Sequence, residues 1–396
     1  MNVVFISPQF PDTYWNWCDR LRKNGATVLG IGDTPYDNLT NEVKASLDEY
    51  YWVPSLEDYD QAFRAVAYFS YKYGKIDWLE SNNEYWLSQD ARLRDDFHIT
   101  TGAGSELMSQ WQSKADMKKF YAAGGVPTAR QIKVSDPDAV RAFAREVGYP
   151  LFAKPEKGVG SMGAHKIADE AALEELLRKD LDTPYVLEEF VPGEIVSYEA
   201  IVDGEGNTLF ENHSEYPIDI AASVEQQLDV WYYTRPDVDP KLSRLGRAAI
   251  KGFGITNRFV HMEFFRLTED KPGLGKKGDY VGLEVNVRAP GGYTPDLVNY
   301  AHSFDVYQIW ADMVTFGTSE QGKGGETYYA TYASRRDIHN YAYTHEQIME
   351  RYGDVICMQG RMADVLSDDL GNDFYIARFK DAKDRDEFAA FVEKLA

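Results

Sequence analysis

Short apolar runs alternate with helix-compatible stretches along the first hundred residues. Val3 to Ile6 form an apolar run that ends at a turn, Asp12 to Lys23 have helical spacing, and Ala26 to Ile31 are apolar again. A helix over Asp58 to Tyr73 and a strand over Ile76 to Leu79 continue the pattern. Strands that alternate with helices in this way are typical of a doubly wound α/β domain with a parallel sheet.

The turn after the first strand distinguishes this domain from a dinucleotide-binding one. A dinucleotide site needs a glycine-rich turn there, because only glycine lets the backbone approach the pyrophosphate closely. The chain instead continues with Ser7, Pro8 and Gln9. We therefore predict a Rossmann-like architecture that holds no nucleotide of its own.

The pattern changes from Ser105 onward. A helix that begins at Ser105 stops at Gly124 and Gly125, and the segment after it predicts a compact α+β lobe. Beyond Pro192 the pattern predicts mostly β-structure with one helix over Lys241 to Gly252, and then a closing α+β region. The further elements of the central lobe are predicted as helices over Pro137 to Val147 and Glu170 to Leu177 and strands over Leu151 to Lys154, Ala164 to Ile167 and Tyr185 to Glu189.

The composition excludes several classes of protein. Hydrophobic residues make up 44% and charged residues 27% of the 396 residues, which provides enough apolar surface for folded cores. The 64 acidic and 42 basic residues give a net charge of −22, which repels nucleic acid backbones and anionic membranes. Cys18 and Cys357 form no disulfide framework, and no run reaches about 18 apolar residues. We expect a cytoplasmic protein with no nucleic acid and no membrane partner.

The sharpest local motif is the glycine-rich segment 153–163. Gly158, Gly160 and Gly163 satisfy a GxGxxG pattern, but the segment joins two predicted strands instead of opening a helix after the first strand. This placement favours a hairpin flap whose amide groups cover phosphates, with Lys154 as a cation on the preceding strand. The alternative is a plain glycine-rich hairpin.

A second motif is a pair of strands, Asn257 to Leu267 and Tyr280 to Ala289, joined by a polar loop that contains glycine. Side chains of a strand alternate between its two faces, so every second residue shares a face. One face carries His261, Glu263 and Phe265 from the first strand and Glu284, Asn286 and Arg288 from the second.

The register of this hairpin decides whether the motif is a metal site. If Thr268 pairs with Asp279, then Glu263 lies opposite Glu284. Two carboxylates about 5 Å apart across a sheet are destabilising unless a cation lies between them. Mg²⁺ suits such a place, because it takes oxygen ligands and keeps substrate phosphates and water in its other positions. The alternative is a half-exposed hairpin with its charges in solvent.

In this order, these motifs resemble the ATP-grasp superfamily. The likeness is clearest from about Lys114 to Gly292 and looser over the rest of the chain. It implies an N-terminal Rossmann-like domain, a small mobile lid lobe and a larger C-terminal α+β lobe. We place the N-terminal domain at 1–110, the central lobe with the lid at 111–190, the magnesium-binding lobe at 191–325 and an α+β subdomain at 326–396.

The resemblance implies an ATP site in the central lobe. Lys114 is similar to the first family lysine, which reaches the α-phosphate, and Lys154 to the second, which contacts the α- and β-phosphates. The segment Glu156 to Gly163 resembles the mobile phosphate loop. Its expected phosphate contacts are Gly158, Gly160, Ser161 and Gly163.

The segment after the loop resembles the hinge strand that binds adenine. Glu188 is expected near the exocyclic amine, and Glu189 and Val191 are expected to offer backbone groups. Many relatives hold the ribose hydroxyls with a glutamate shortly after this hinge. Here the alignment places either Glu194 or Ile195 at that position, and we take Glu194 as the candidate.

The resemblance also implies the catalytic groups. Arg288 matches the arginine that lies against the acyl-phosphate or the substrate, and the amides of Gly291 and Gly292 are placed to stabilise the same group. His261 either touches the substrate or orients a metal ligand. The metal ligands for Mg²⁺, with Mn²⁺ as an alternative ion, are expected to be Glu263, Glu284 and Asn286.

The chemistry implied is ATP-dependent joining of a carboxylate to an amine. The γ-phosphoryl group passes to the carboxylate, and the amine then displaces phosphate from the acyl-phosphate. Lys154, Arg288 and His261 are the candidate catalytic side chains. A bicarbonate-using carboxylase or a carbamoyl-phosphate-synthetase-like enzyme is the rival from the same class. A nucleotide-binding module without catalysis is the rival from another class.

The partners implied are a small carboxylate and a small amine. Relatives of this kind also lead us to expect a homodimer. Specificity is expected where the first and last domains meet the turn at Gly291 and Gly292, since clefts between lobes are common ligand sites. Glu84, Arg335 and Arg336 are candidates there, and for each of them a surface or structural charge is the alternative.

Overall fold

The computed structural model describes residues 1–157, 163–179, 181–218, 223, 226–322 and 324–396, whose strands form three sheets. The first sheet is parallel, with the order β3-β2-β1-β4, and confirms the predicted doubly wound domain. Alternate residues of β1 pack into different cores on its two faces, Val3 and Phe5 on one and Val4 and Ile6 on the other. The strands are β1 (Asn2–Ile6), β2 (Thr27–Gly32), β3 (Glu49–Trp52) and β4 (Trp78–Glu80), and the helices are α1 (Trp15–Lys23), α2 (Asn41–Ser46), α3 (Tyr59–Tyr73) and α4 (Leu87–Asp96).

The second sheet is antiparallel and belongs to the central lobe, with the order β5-β8-β6-β7. The single helix predicted from Ser105 is two helices. Ser113 begins the second one, because its hydroxyl accepts a hydrogen bond from the amide of Asp116 and caps the helix. The elements are α5 (Ser105–Trp111), α6 (Lys114–Gly124), β5 (Gln131–Lys133), α7 (Pro137–Val147), β6 (Leu151–Pro155), β7 (His165–Ile167), α8 (Glu170–Arg178) and β8 (Tyr185–Glu189).

The third sheet has eight antiparallel strands, in the order β13-β12-β9-β10-β11-β14-β16-β15. Because β11 pairs with β14, the sheet continues across the division that we place at residue 325. The strands are β9 (Gly193–Val202), β10 (Thr208–Glu215), β11 (Trp231–Thr234), β12 (Arg258–Leu267), β13 (Tyr280–Asn286), β14 (Tyr329–Arg335), β15 (Ile356–Arg361) and β16 (Asp373–Phe379).

Six further helices accompany this sheet. The prediction of a single helix between Pro192 and about residue 325 was wrong, because α10 and α11 also lie there. α11 is apolar on most sides, with its Trp310 packed 5.2 Å from the ring of Trp17, so its sequence shows little amphipathic periodicity. α10 is short and buries polar residues such as Asp296 beside apolar ones, which hides its apolar face. The helices are α9 (Pro240–Phe253), α10 (Thr294–His302), α11 (Val306–Phe316), α12 (His345–Tyr352), α13 (Asp364–Leu370) and α14 (Ala382–Val392). None of the described helices is long and apolar enough to cross a membrane.

A buried carboxyl group lies where α10 and α11 pack together. Asp296 is 8% exposed, and its Oδ2 accepts a hydrogen bond of 2.9 Å from the hydroxyl of Tyr307. Burial raises the pKa of Asp296 from its usual 3.8 to about 7. The folded protein therefore retains a proton that the unfolded chain releases as the pH rises above about 4.

Asp296→Asn is expected to stabilise the fold at pH 8 and to change its stability little at pH 4. Because the pKa of Asp296 is higher in the folded protein than in the unfolded chain, the wild type loses stability as the pH rises from about 4 to about 7. The loss is about 1.4 kcal/mol per pKa unit. The variant avoids it, so its free energy of unfolding at pH 8 is expected to exceed that of the wild type by up to about 4 kcal/mol. Chemical denaturation of both proteins between pH 4 and pH 8 measures the difference. The exposed Asp60→Asn variant is the control, and an equal pH profile for Asp296→Asn and the wild type would contradict the prediction.

Candidate active site

The β12–β13 hairpin brings the predicted metal ligands together. Glu263 pairs with Glu284, and His261 pairs with Asn286, as the register requires. The assumed closure of Thr268 against Asp279 was wrong, because a β-bulge between Glu263 and Phe264 shifts the loop half of the hairpin by one residue. Three oxygen-bearing side chains thus share one face at the end of this hairpin.

The pKa of Glu284 is raised above its usual value, whereas the pKa of Glu263 is lowered. For Glu284, burial and then the neighbouring Glu263 raise the pKa, with Lys114 acting against them. For Glu263, burial alone would raise the pKa, but His261 and nearby cations hold it below its usual value. Two facing carboxylates in such a place favour a cation between them.

The described residues hold no group of three or more His, Cys, Asp or Glu side chains arranged to bind a metal. The candidate cation site has only two such side chains, Glu263 and Glu284, and its third oxygen comes from the side-chain amide of Asn286. Mg²⁺ is usually held by one or two carboxylates together with substrate phosphates, and this all-oxygen donor set fits it.

His261 bridges two glutamates on the same face. Its Nδ1 lies 2.8 Å from Oε1 of Glu199, and its Nε2 lies 3.6 Å from Oε1 of Glu263. Burial would lower the pKa of His261, but the two carboxylates together raise it to about 9. Of the two roles left open by the sequence, the contact with Glu263 supports the orienting one.

The two predicted lysines approach the same region from the central lobe. Nζ of Lys114 lies 3.5 Å from Oε1 of Glu284, and Nζ of Lys154 lies 2.8 Å from Oε2 of Glu188. Although burial lowers it, the charge of Glu188 holds the pKa of Lys154 above its usual value. Both lysines are buried, so their charges are poorly screened by solvent.

A third lysine was missed by the sequence analysis. Nζ of Lys118 lies 2.8 Å from Oε1 of Glu188, so Glu188 is shared between Lys118 and Lys154. Lys118 follows Lys114 by four residues on α6, which places both on one side of the helix. That spacing was visible in the sequence and is the signal that could have revealed Lys118.

In the hinge strand, Glu188 and Glu189 have partners within the protein. The side chain of Glu189 binds the guanidinium of Arg130. The backbone N–H of Glu189 donates a hydrogen bond of 3.0 Å to the backbone carbonyl of Arg130. A base that used this amide would have to displace that carbonyl. Val191 packs in an apolar cluster with Leu267 and Val281, which offers an apolar wall beside the hinge.

Glu194 lies away from the other predicted residues. It pairs across β9 and β12 with Arg266, and its carboxylate accepts a hydrogen bond of 2.7 Å from that arginine. Ser197 pairs with Glu263, so by strand alternation Glu194 points to the opposite face of the sheet. The structure does not bring Glu194 to the site, and Ile195 lies on the site's face.

The glycine-rich segment joins adjacent antiparallel strands, β6 and β7, as predicted for a hairpin. Gly158, Gly160 and Ser161 lie outside the described residues. Gly163 has φ +75°, and a Cβ there would lie 2.9 Å from the hydroxyl of Tyr185, so both conformation and space favour glycine.

Arg288 connects the site to the N-terminal domain. Its Nε donates to Oε2 of Glu84 at 3.0 Å, and Nη1 donates to the carbonyl of Ala289. A cavity of about 240 Å³ opens beside this ion pair. Its polar lining comes from Glu84, Ser88, Gln112, Lys157, Glu284 and Asn286.

The turn after Arg288 has room for a bound group at one of its two glycines. A Cβ on Gly291 would meet nothing within 4 Å, whereas one on Gly292, which has φ +57°, would contact Leu370. Gly291 therefore borders open space, and Gly292 is needed for the backbone conformation of the turn.

Arg335 and Arg336 have structural contacts. Arg335 donates to the carbonyls of Val392 and Tyr343, and Arg336 donates to carbonyls that include that of Leu228. Of the three specificity candidates from the sequence, Glu84 is the one that lies beside Arg288.

Comparisons with known proteins define the class to which this architecture belongs. Residues 112–220 match the family model described as carbamoyl-phosphate synthase L chain, ATP binding domain. The L-amino acid ligase from Bacillus licheniformis superimposes with a TM-score of 0.70 at 15% identity, over 98% of this chain and 95% of that one. The biotin carboxylase from Campylobacter jejuni superimposes with a TM-score of 0.67 at 14% identity, over 100% and 91%. The chain has the ATP-grasp fold, which confirms the resemblance inferred from its motifs.

Among characterised proteins, the chain is similar to an alanine–anticapsin ligase of Bacillus subtilis. The two are 23% identical over 302 residues, which cover 68% of this chain and 61% of the ligase. The chain thus spans less than two thirds of the length of that relative.

Proposed function

We propose that the chain is an ATP-dependent carboxylate–amine ligase that releases ADP and phosphate. The observation that carries the proposal is the pairing of Glu263 with Glu284, with Nζ of Lys114 at 3.5 Å from Glu284 and the charge of Arg288 among those that lower the pKa of Glu263. The similarity to an alanine–anticapsin ligase and to an L-amino acid ligase supports a carbon–nitrogen bond as the product.

Different side chains of the site have different roles in phosphoryl transfer. Lys114 and Lys154 bind and neutralise the nucleotide phosphates. Glu188, which contacts both Lys154 and Lys118, keeps its contact with Lys118 when Lys154 turns to the phosphates. Glu263, Glu284 and Asn286 would hold Mg²⁺, which neutralises charge on the transferred group. Catalysis of this kind depends on positioning and electrostatics rather than on a covalent nucleophile.

Arg288 orients the carboxylate that receives the phosphoryl group. Its guanidinium provides a fork of donors that suits a carboxylate or an acyl-phosphate, and the open side of Gly291 offers a backbone amide nearby. Glu84, which pairs with Arg288 at 3.0 Å, lines the neighbouring cavity together with Lys157, so this cavity presents an anionic and a cationic group. A cation and an anion at one small cavity suit a zwitterionic amino acid as the substrate.

The four-part division of the chain is part of this proposal. The lid at 111–190 would close the nucleotide against the sheet of the 191–325 lobe, and the N-terminal domain at 1–110 contributes Glu84 to the substrate cavity. The cytoplasmic location, the homodimer and Mn²⁺ in place of Mg²⁺ stay predictions of the sequence.

Phosphate release from Mg·ATP, measured against a matrix of amino acids, other carboxylates, amines and bicarbonate, tests the proposal. We expect release with one carboxylate–amine pair and a product that is one water lighter than their sum by mass spectrometry. Release with bicarbonate alone would contradict the ligase assignment and favour a carboxylase or a carbamoyl-phosphate-synthetase-like enzyme. Nucleotide binding with no release under any condition would favour a binding module.

A further inference from the structure

A line of polar side chains runs through the interior of the large sheet, beginning at the candidate metal site. Glu199 on β9 lies opposite His261 on β12 and opposite Asn212 on β10. Nδ2 of Asn212 donates to Oε2 of Glu199 at 2.6 Å, and Nε2 of His302 lies 2.8 Å from Oδ1 of Asn212. With the contact between His261 and Glu263, the line joins a metal-site carboxylate to the end of α10.

The hydrogen-bonding roles along this line follow from the chemistry of each group. The carboxylate of Glu199 accepts from both neighbours, so Nδ1 of His261 and the amide nitrogen of Asn212 are the donors. Asn212 then presents its oxygen to His302, whose Nε2 must donate. Each side chain is thereby held in one orientation, and Nε2 of His261 is directed towards Glu263.

The polar side chains of this line are buried, and burying them costs desolvation free energy. Glu199 and Asn212 are 0% exposed, and Ser214 adds a further contact of 3.5 Å to Oε2 of Glu199. Burying such groups is unfavourable unless they are hydrogen-bonded, and apolar residues would fill the same space without that cost. The opposite face of β9 is filled by apolar side chains such as Val196, Ala200 and Val202. The polar line is therefore confined to the face that carries the site.

We propose that Glu199 is a positioning residue that fixes the imidazole of His261 and, through it, the carboxylate of Glu263. The inference rests on the proposed function only in that Glu263 is taken as a metal ligand. Asn212 and His302 complete the device by fixing the second oxygen of Glu199. Because α10 begins just after the turn at Gly291 and Gly292, the hydrogen bonds from Glu199 to His302 also connect β12, which carries Glu263, to the helix that follows this turn.

The test measures binding of Mn²⁺ in the presence of ADP, by electron paramagnetic resonance, with the full chain. Glu199→Gln places an amide against the amide of Asn212, so one of the two bonds to His261 or Asn212 must be lost. Removal of a group that orients a metal ligand typically costs about 10- to 100-fold in affinity, and we expect a loss of that size. Asn212→Asp, which faces Glu199 with a second carboxylate, is expected to show a similar loss.

The double variant Glu199→Gln with Asn212→Asp separates geometry from folding. Its new amide at position 199 would donate to the new carboxylate at position 212 and accept from His261. That carboxylate would still accept from His302, so the line is restored with its charge moved to the neighbouring strand. We expect Mn²⁺ affinity within about threefold of the wild type. Glu211→Gln, on β10 but on the opposite face with Tyr198 and Arg247, is the matched control and is expected to leave Mn²⁺ affinity unchanged.

Three results would overturn the inference. They are wild-type Mn²⁺ affinity in Glu199→Gln, failure of the double variant to recover affinity while its thermal unfolding is normal, and absence of Mn²⁺ binding by the wild type with ADP. If Glu199→Gln alone does not fold, the double variant still decides between the alternatives. A wild type that binds Mn²⁺ with ADP but forms no product with any substrate pair would sink the ligase proposal and leave this test intact.

Discussion

Glu284→Gln is expected to reduce ATP turnover by at least about 10³-fold, which corresponds to about 4 kcal/mol in the activation barrier. The substitution keeps the size of the side chain but removes one of the two negative charges that face each other across β12 and β13. It also removes the carboxylate that lies 3.5 Å from Nζ of Lys114. Turnover is measured as phosphate release at saturating Mg·ATP with the substrate pair found for the wild type.

The stability of the same variant provides an independent check. Since two half-buried carboxylates that face each other repel when no cation lies between them, the metal-free variant is expected to have a Tm equal to or above that of the wild type. Glu269→Gln, in the exposed loop of the same hairpin, is the control and is expected to retain full turnover. Turnover at the wild-type level in Glu284→Gln would remove this residue from the metal site.

Arg288→Met is expected to lower product formation by about 10³-fold while ADP binding stays within a few-fold of the wild type. Removal of a single donor that stabilises developing charge costs about 10²- to 10³-fold in other enzymes, and Arg288 provides more than one donor. The variant would also leave Glu84 without its partner at 3.0 Å. Product formation is followed by mass spectrometry, and ADP affinity by calorimetry.

Two further variants sharpen this result. Arg288→Lys keeps the charge but loses the planar fork, so an intermediate loss of about 10²-fold is expected. Arg247→Met, which removes an exposed arginine from α9, is the control and should leave both measurements unchanged. A loss of ADP affinity equal to the loss of product formation would assign Arg288 to the nucleotide instead of the acyl-phosphate.

The central features of the site were predictable because they depend on local patterns. Strand alternation places His261 and Glu263 on one face of β12 and Glu284 and Asn286 on one face of β13, and the observed register sets these two pairs opposite each other. The start of α7 also coincides with a local signal, because Pro137 follows Asp136, whose side chain accepts a hydrogen bond from the amide of Asp138 and caps the helix.

Other features were not predictable because several structures satisfy the same local pattern. The apolar sequence of α11 fits a buried helix as well as it fits buried strands, so periodicity could not decide between them. The β-bulge after Glu263 was not predictable, because the alternation of side chains on either side of it is regular. Pairing Thr268 with Asp279 was one residue out at the loop but still set Glu263 opposite Glu284.

The sequence by itself determined the doubly wound N-terminal domain and the hairpin with its two facing glutamates, since each depends on periodicity within a short segment. The ATP-grasp fold and the roles expected of Lys114 and Lys154 came from the resemblance that these motifs carry. The tertiary structure alone decided that Glu84 meets Arg288 across 204 residues, and that Glu199 is linked to His302 through Asn212. It also decided that Glu194 faces away from the site. Contacts between distant segments depend on how sheets and helices pack together, and that packing is set by the whole chain rather than by any stretch of it.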